Sequence, residues 1–259
     1  MIYKNSKSET AFIDISDFPK DKKNIKFPVI SLFTGAGGLD IGLEDSGFET
    51  TVCVEYDADC RETLKFNRPE WKVFEDGFKI ESGNIKTRVP GDIRDISVEE
   101  LLQFSGLEKG EASLVVGGAP CQPFSNIGKK LGKNDERNGD LFLEFVRIVK
   151  GTEPQAFIFE NVVGITQKKH FDVVEYMMDK FKGLGYGISH AILNSADYGV
   201  PQRRKRFFLI GIKGIEKPAF PLPTHFKDFS HYESTINDYD YPYTPVFKRW
   251  VSVNDAFKK

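Results

Sequence analysis

One cysteine stands in a setting that suits covalent chemistry. Cys121 lies in Gly117–Ser125 (GGAPCQPFS), between Pro120 and Pro123. Most lone cysteines are small buried core residues, but prolines on both sides favour a rigid and exposed loop. Because the thiolate of an exposed cysteine is a strong nucleophile, we predict that Cys121 attacks a substrate and forms a transient covalent bond.

Two polar stretches can supply the groups that such a nucleophile needs. Glu160–Val162 (ENV) offers a carboxyl group for general acid–base catalysis, and Gln202–Arg206 (QRRKR) offers the electropositive setting that activates a thiol. Each stretch also has a purely structural interpretation, as a helix cap or turn for the first and a solvated basic surface for the second. Their meaning therefore depends on the elements that position them.

Strand and helix patterns alternate from Pro28 onward. Leu141 and Val174 each begin a run of apolar residues at helical spacing, and Ser97 with Glu100 forms a capping box that predicts a further helix. The predicted strands are Val29–Phe33, Glu49–Glu55, Ser113–Gly117, Gln155–Glu160 and Arg206–Ile212. This alternation predicts an α/β fold with a mostly parallel sheet, helices on both faces and ligands beyond the carboxyl ends of the strands.

A glycine-rich loop follows the first predicted strand. Phe33–Gly42 (FTGAGGLDIG) can turn tightly against a ligand, and Glu55 stands about twenty residues further on, where a carboxylate can bind both hydroxyls of a ribose. Tyr56 can then lie against an adenine. We expect Gly91–Ile93 (GDI) at the end of the third strand, with Asp92 either accepting from an adenine amino group or serving as a simple turn residue. This layout alone does not separate a nicotinamide cofactor from S-adenosylmethionine.

Four of these motifs resemble, in their order and spacing, those of the C5-cytosine DNA methyltransferase family. They are Phe33–Gly38, Gly117–Ser125, Glu160–Val162 and Gln202–Arg206, and the resemblance covers residues 28–257. The resemblance implies a Rossmann-like, S-adenosylmethionine-dependent methyltransferase fold. It also implies transfer of a methyl group to C5 of a cytosine that is flipped out of double-stranded DNA, within a restriction–modification system and without a metal ion.

The same resemblance assigns roles to individual residues. Cys121 attacks C6 of cytosine, Glu160 acts at N3, and Asn161 orients the cysteine loop. Arg204 or Arg206 contacts the pyrimidine O2 and nearby phosphates, and Gln202 belongs to the same motif. The cofactor contacts that it implies are Phe33, Thr34, Gly35, Gly37, Gly38, Leu39, Glu55, Tyr56, Asp92, Ile93, Pro120 and Leu141.

The sequence suggests three parts: an N-terminal extension over 1–27, a cofactor-binding catalytic domain over 28–215, and the start of a small-domain region over 216–259. Relatives usually continue into a target-recognition domain, so two explanations are open: a naturally split enzyme whose second subunit supplies that domain, or a shortened chain. The formal net charge of −2 agrees with either explanation, because a self-sufficient DNA-binding protein is normally basic.

Composition sets the remaining expectations. The N-terminus lacks a signal peptide, apolar runs are too short to span a membrane, and three cysteines without a CxxC pair suit a reducing compartment. We therefore expect a cytoplasmic protein of bacterial type, with no membrane partner.

Three other functions remain open on the sequence. A tRNA cytosine methyltransferase uses a closely similar motif set, and a substrate assay would distinguish it. A noncatalytic DNA-associated regulatory module could retain the fold, although Cys121, Glu160 and Arg204 are all present. A nicotinamide-dependent oxidoreductase would have no evident use for the Pro-Cys-Gln loop.

Overall fold

The computed structural model describes residues 2–4, 11–13, 27–81, 83–120, 141–167, 171–238 and 248–258. Cys121 and the loop that follows it lie outside these residues. Eleven strands fall in the described ranges: β1 (Ile2–Lys4), β2 (Ala11–Ile13), β3 (Phe27–Leu32), β4 (Phe48–Val54), β5 (Phe78–Glu81), β6 (Asn84–Thr87), β7 (Leu114–Gly117), β8 (Ala156–Val162), β9 (Tyr186–Asn194), β10 (Lys205–Lys213) and β11 (Ala219–Pro221).

Helices lie between several of these strands. Those in the described ranges are α1 (Gly38–Asp45), α2 (Ala58–Asn67), α3 (Val98–Ser105), α4 (Leu141–Thr152), α5 (Phe171–Gly183), α6 (Phe229–Asp238) and the short α7 (Val253–Ala256). None of the helices described is long and apolar enough to cross a membrane.

In the described residues the central sheet has six strands in the order β4-β3-β7-β8-β10-β9. Strands β4, β3, β7 and β8 pair in parallel, whereas β10 runs antiparallel to both β8 and β9. The predicted α/β fold with a mostly parallel sheet is confirmed. The reversal of β10 brings its first residues to the edge where the other strands end.

The core lies between the sheet and the helices that cover it. All four residues of β7 are buried, as expected for a central parallel strand that is covered on both faces. On one face the aromatic rings of Phe145, Phe157 and Phe181 contact one another, with centroids 4.0 to 6.2 Å apart. These rings join α4, β8 and α5, so the helices are fixed to the strand that carries Glu160.

The predicted helix after Ser97 begins with the expected capping box. The Ser97 hydroxyl accepts from the Glu100 backbone amide at 3.1 Å, and the Glu100 carboxylate accepts from the Ser97 amide at 2.9 Å. Two of the amides that a helix start leaves without partners are thereby satisfied. Helices α4 and α5 likewise match the apolar runs that begin at Leu141 and Val174.

The expectation for Gly91–Ile93 was wrong in one respect, because the described strands directly before it, β5 and β6, form a separate hairpin and not a strand of the central sheet. The chain touches the sheet edge at a single bridge between Val73 and Cys53, and the β5–β6 hairpin follows. Asp92 instead caps a 3-10 turn at Ile93–Asp95, where its side chain accepts from the Arg94 amide. Strand β9 was also missed, since its partly exposed positions mix polar and apolar residues without a clear alternation.

A second, small sheet joins the N-terminal segment to the chain after β10. Strand β1 pairs antiparallel with β2, and β2 pairs in parallel with β11. The first residues of the chain thus pair by their backbone with residues that follow the central sheet. The three-part division of the chain stays a prediction.

Candidate active site

Loops from four parallel strands and one reversed strand meet at the carboxyl edge of the central sheet. In the strand register Leu32 pairs with both Val54 and Gly117, and Gly117 pairs with Phe159. The next residue of each strand therefore lies in a row just beyond the sheet. That row consists of Phe33, Glu55, Gly118 and Glu160.

The glycine-rich loop leaves β3 through an unusual backbone conformation. Phe33 has φ 55°, and Gly35 and Gly37 follow with φ 57° and 84°. A left-handed conformation costs a residue with a side chain on the order of 1 kcal/mol or more, so the surrounding structure must hold Phe33 in place. Thr34 contributes to this, because it is buried and its hydroxyl lies 3.0 Å from that of Ser31.

Glu55 fastens the loops that follow β3 and β4. One carboxylate oxygen accepts from the Gly35 amide at 2.6 Å and the other from the Asp57 amide at 2.7 Å. Both oxygens keep lone pairs for further donors, as a ribose would need. Tyr56, the next residue, is 58% exposed and free to form a flat apolar wall.

The Asp92 turn packs directly against Glu55. A Cβ built on Gly91 would lie 1.9 Å from the Glu55 carbonyl oxygen, so only glycine permits this approach. The Arg94 side chain forms a bidentate pair with the Asp92 carboxylate, at 2.8 Å from Nε and 2.5 Å from Nη2. This hydrogen bonding raises the pKa of Arg94 above its ordinary value. The carboxyl group expected at the adenine is thus brought beside the one expected at the ribose.

Arginine 147 reaches the same turn from α4. Its Nη2 donates to the backbone oxygens of Ile93 and Ile96 at 2.8 and 2.9 Å. Ile93 itself is buried, and Leu141 at the start of α4 is partly buried against the core. Arg94 and Arg147 have no role predicted from the sequence. The acceptors of Arg147 are backbone oxygens of residues 54 and 51 positions away, so its contact leaves no residue pattern.

The segment before Cys121 is held by the strand beside it. Asn161 is buried at the end of β8, and its side-chain amide donates to the Ala119 carbonyl at 3.1 Å. The amide oxygen accepts from the Val162 backbone at 2.8 Å, which fixes the side-chain orientation. Pro120, the last described residue before Cys121, is exposed. The Asn161 side chain therefore ties Ala119, two residues before Cys121, to the end of β8.

Glu160 and Arg206 meet across the β8–β10 pair. Arg206 Nε lies 2.9 Å from Glu160 Oε1, and each side chain is about a quarter exposed, at 24% and 26%. The contact depends on the reversed direction of β10, which places Arg206 opposite Val162 at the end of β8. A carboxylate and a guanidinium group thus stand together beside the segment that leads to Cys121.

The rest of the basic motif faces solvent. Gln202 and Arg204 are exposed, and their backbone oxygens accept from the Ser195 hydroxyl at 3.1 and 3.3 Å. Of the two candidate arginines, Arg206 is the one that contacts Glu160, while the Arg204 side chain projects outward. Leu39 on α1 is also exposed, and Gly38 begins that helix.

A half-buried carboxyl group braces the turn that precedes the basic motif. Asp197 accepts from Trp250 Nε1 at 2.9 Å and from the Asn194 side-chain amide at 3.2 Å. Burial raises the pKa of Asp197 above its ordinary value. The sequence analysis named neither Asp197 nor Trp250 as a partner, since they are far apart along the chain.

The residues at this edge fit S-adenosylmethionine. A Cβ built on Gly35 or Gly38 would meet nothing within 4 Å, so the glycine-rich loop borders open space. The carboxylates of Glu55 and Asp92 and the exposed ring of Tyr56 surround the adjoining strand ends. Among the described side chains, no group of three or more histidines, cysteines and carboxylates could hold a metal ion.

The sheet and the loops at its carboxyl edge define a Rossmann-like methyltransferase. Residues 27–252 match the family of C-5 cytosine-specific DNA methylases, and the chain belongs to that family. The chain is 40% identical over 205 residues to the Type II methyltransferase M.AquIA of Picosynechococcus, covering 76% of each protein. It is 34% identical over 248 residues to M.SacI of Streptomyces achromogenes, covering 90% of this chain and 60% of that one.

Solved structures agree on the fold. A prophage protein of E. coli described as a DNA modification methyltransferase superposes with a TM-score of 0.56 and 29% identity, covering 72% of this chain and 47% of that one. The S. pombe Dnmt2 methyltransferase superposes with a TM-score of 0.53 and 17% identity, covering 76% of this chain and 52% of that one. Apart from M.AquIA, the chain spans about half the length of these relatives.

Proposed function

We propose that this chain performs the methyl-transfer chemistry of a DNA (cytosine-5-)-methyltransferase in a restriction–modification system. The observation that carries the proposal is the Glu160–Arg206 pair, with 2.9 Å between Nε and Oε1, beside the segment Gly118–Pro120. An acid and a cation side by side next to a nucleophile suit a reaction that attacks C6 of a pyrimidine and accumulates charge at N3 and O2.

Each group then has a defined task. The Cys121 thiolate bonds to C6, and the electron pair of the C5–C6 double bond becomes available at C5. Glu160 hydrogen-bonds or protonates N3 as electron density grows there, and Arg206 donates toward O2. C5 would then take the methyl group that bound S-adenosylmethionine supplies, with S-adenosylhomocysteine as the leaving group. A base removes the C5 proton, the C5–C6 double bond re-forms, and the bond between C6 and the Cys121 sulfur breaks. Because the reacting atoms lie inside the base stack, the cytosine must first rotate out of the duplex.

The other half of the edge holds the methyl donor. S-Adenosylmethionine supplies an electrophilic methyl group when it is bound. Glu55 accepts from the ribose hydroxyls, Asp92 from the adenine amino group, and Tyr56 covers the adenine ring. Gly35 and Gly38 leave room for the cofactor on the loop after β3.

Selection of a DNA sequence stays a separate proposal. The described residues form the cofactor and reactive halves of a site, and the formal net charge of −2 gives the chain little general attraction for phosphates. We propose that a target-recognition segment on a second polypeptide completes DNA binding. Added in trans, such a segment should raise DNA affinity; binding by the chain alone with full affinity and sequence selectivity would contradict this proposal.

The function is tested by methyl transfer from radiolabelled S-adenosylmethionine. The chain, with and without a supplied target-recognition segment, is offered duplex DNA of many sequences or tRNA transcripts. Label at C5 of cytosine in duplex DNA is the expected result. Label in tRNA alone would instead indicate a tRNA cytosine methyltransferase. Cofactor binding without transfer to either nucleic acid would contradict a catalytic role.

A further inference from the structure

Gly118 lies directly beneath the carboxylate of Glu160. A Cβ built on Gly118 would stand 2.9 Å from Glu160 Oε2, closer than real Cβ contacts come. The other Glu160 oxygen, Oε1, is the one that meets Arg206 Nε at 2.9 Å. The bare face of Gly118 and the guanidinium of Arg206 thus contact the two oxygens of one carboxylate.

Gly118 must be glycine for a different reason from Gly117 and Gly91. On Gly117 a Cβ would strike the Leu32 carbonyl at 2.5 Å, and on Gly91 the Glu55 carbonyl at 1.9 Å. The carbonyl oxygens of Leu32 and Glu55 are backbone atoms, which cannot move without deforming the sheet. At Gly118 the near atom is the end of a flexible side chain, and Gly118 is not among the glycines with positive φ. The backbone around Gly118 therefore accommodates alanine, but the added methyl group would displace the carboxylate of Glu160.

We propose that Gly118 is a positioning residue for methyl transfer, because the absence of its side chain allows Glu160 to hold its carboxylate beside Arg206 and over the segment leading to Cys121. The inference rests on the proposed function and adds a residue that acts through Glu160.

A small displacement of the Glu160 carboxylate should lower the rate of methyl transfer substantially. Ordinary contact begins at 3.4 Å, so an alanine methyl group at Gly118 must push Oε2 away by about 0.5 Å from its 2.9 Å position. Misplacing a catalytic group by about 1 Å can slow a reaction by about 10²-fold. We therefore expect Gly118→Ala to lower kcat by about 10- to 100-fold with little change in cofactor affinity.

The matched control is Gly164→Ala, in the 3-10 turn that follows β8. A Cβ on Gly164 has its nearest neighbour, Val162 Cγ2, at 3.9 Å, which is ordinary contact. Both variants exchange glycine for alanine at a position without strained φ. The control should keep wild-type kcat, stability and cofactor affinity.

The decisive test is a double-mutant cycle with Glu160→Ala, measured by single-turnover methyl transfer. If Gly118 acts through the Glu160 carboxylate, Gly118→Ala should cost about 10- to 100-fold in the wild-type background and less than about twofold once that carboxylate is gone. Equal losses in both backgrounds would overturn the inference, since they would show a general effect on the loop. If the wild-type chain showed no transfer even with a supplied target-recognition segment, the result would instead count against the proposed function.

A second readout does not depend on activity. The Arg206 Nε–H that meets Glu160 Oε1 should exchange slowly with solvent in 15N NMR spectra of the wild-type chain and of Gly164→Ala. Faster exchange in Gly118→Ala is expected, because the methyl group displaces the acceptor. Unchanged exchange in Gly118→Ala would overturn the inference, whatever the activity of the chain.

Discussion

The two halves of the carboxyl edge hold their carboxylates in different ways. In the cofactor half, which comprises the loops after β3 and β4 and the Asp92 turn, Glu55 is held by the backbone amides of Gly35 and Asp57. In the reactive half, which comprises the loop after β7, the end of β8 and the start of β10, Glu160 is held by the side chain of Arg206.

The two halves therefore depend on different kinds of contact for the positions of their functional groups. Backbone amides fix the Glu55 carboxylate of the cofactor half, so its position does not depend on the identity of the donor side chains. The reactive half depends on residues far apart in sequence, such as Asn161 and Ala119, which meet only because the sheet is assembled with β10 reversed. Changes in the reactive half should therefore affect chemistry, and changes in the cofactor half should affect cofactor binding or local stability.

The largest effect is expected at Cys121. Replacing its sulfur in Cys121→Ser should lower methyl transfer by at least about 10⁴-fold, because loss of a covalent nucleophile removes the whole pathway. Affinity for S-adenosylmethionine should stay within about twofold, as judged by isothermal titration calorimetry. Turnover that survives in this variant would remove Cys121 from the mechanism, and Cys60→Ser provides the control thiol.

A smaller loss is expected at Glu160. Glu160→Gln keeps the size of the side chain but removes the proton donor for N3, and should lower kcat by about 10²- to 10⁴-fold. Single-turnover kinetics with saturating cofactor and DNA would measure this loss, with the exposed Glu216→Gln as control. If Glu160→Gln lowered cofactor affinity and left kcat unchanged, the result would contradict the assignment of chemistry to the reactive half and of cofactor binding to the cofactor half.

The cofactor half also contains a buried acid, Asp40 on α1, which accepts from the Thr50 hydroxyl at 3.4 Å. Burial raises the pKa of Asp40 from 3.8 to about 6. The folded chain therefore keeps a proton that the unfolded chain releases, so stability falls as pH rises from about 4 to 6. A shift of about two pKa units corresponds to about 3 kcal/mol.

Asp40→Asn should remove this pH dependence. Between pH 4 and pH 7 the free energy of unfolding in urea should fall by about 2 kcal/mol more in the wild-type chain than in the variant, since part of the full effect lies below pH 4. The exposed Asp45→Asn should follow the wild-type profile. If the wild-type and Asp40→Asn profiles ran parallel, the buried acid would have no such role.

The smallest of these effects is expected at Glu55. Glu55→Gln loses the charge and replaces one acceptor oxygen with an amide donor, which should weaken S-adenosylmethionine binding by about tenfold. At saturating cofactor kcat should change little. Glu70→Gln, an exposed change outside the edge, should leave the affinity unchanged, and an equal effect of both changes would remove Glu55 from the cofactor site.

The sequence was informative wherever a structural requirement is local. The capping box at Ser97, the apolar spacing in α4 and the loop after β3 each follow from a few neighbouring residues, and the fold class and the family were confirmed. Strand β9 and the partners of Asp92 were not predicted. An edge strand with mixed polarity carries no clear pattern, and Arg147 reaches its backbone acceptors only after α4 has packed.

The central claim is that Cys121 attacks a cytosine held by Glu160 and Arg206. Its most direct test is incubation of the chain, with a target-recognition segment supplied, with S-adenosylmethionine and duplex DNA that contains 5-fluorocytosine, since fluorine at C5 prevents the final proton removal. The account predicts a covalent DNA adduct that peptide mapping assigns to Cys121, and none with Cys121→Ser. An adduct at another residue, or turnover without any adduct, would contradict it.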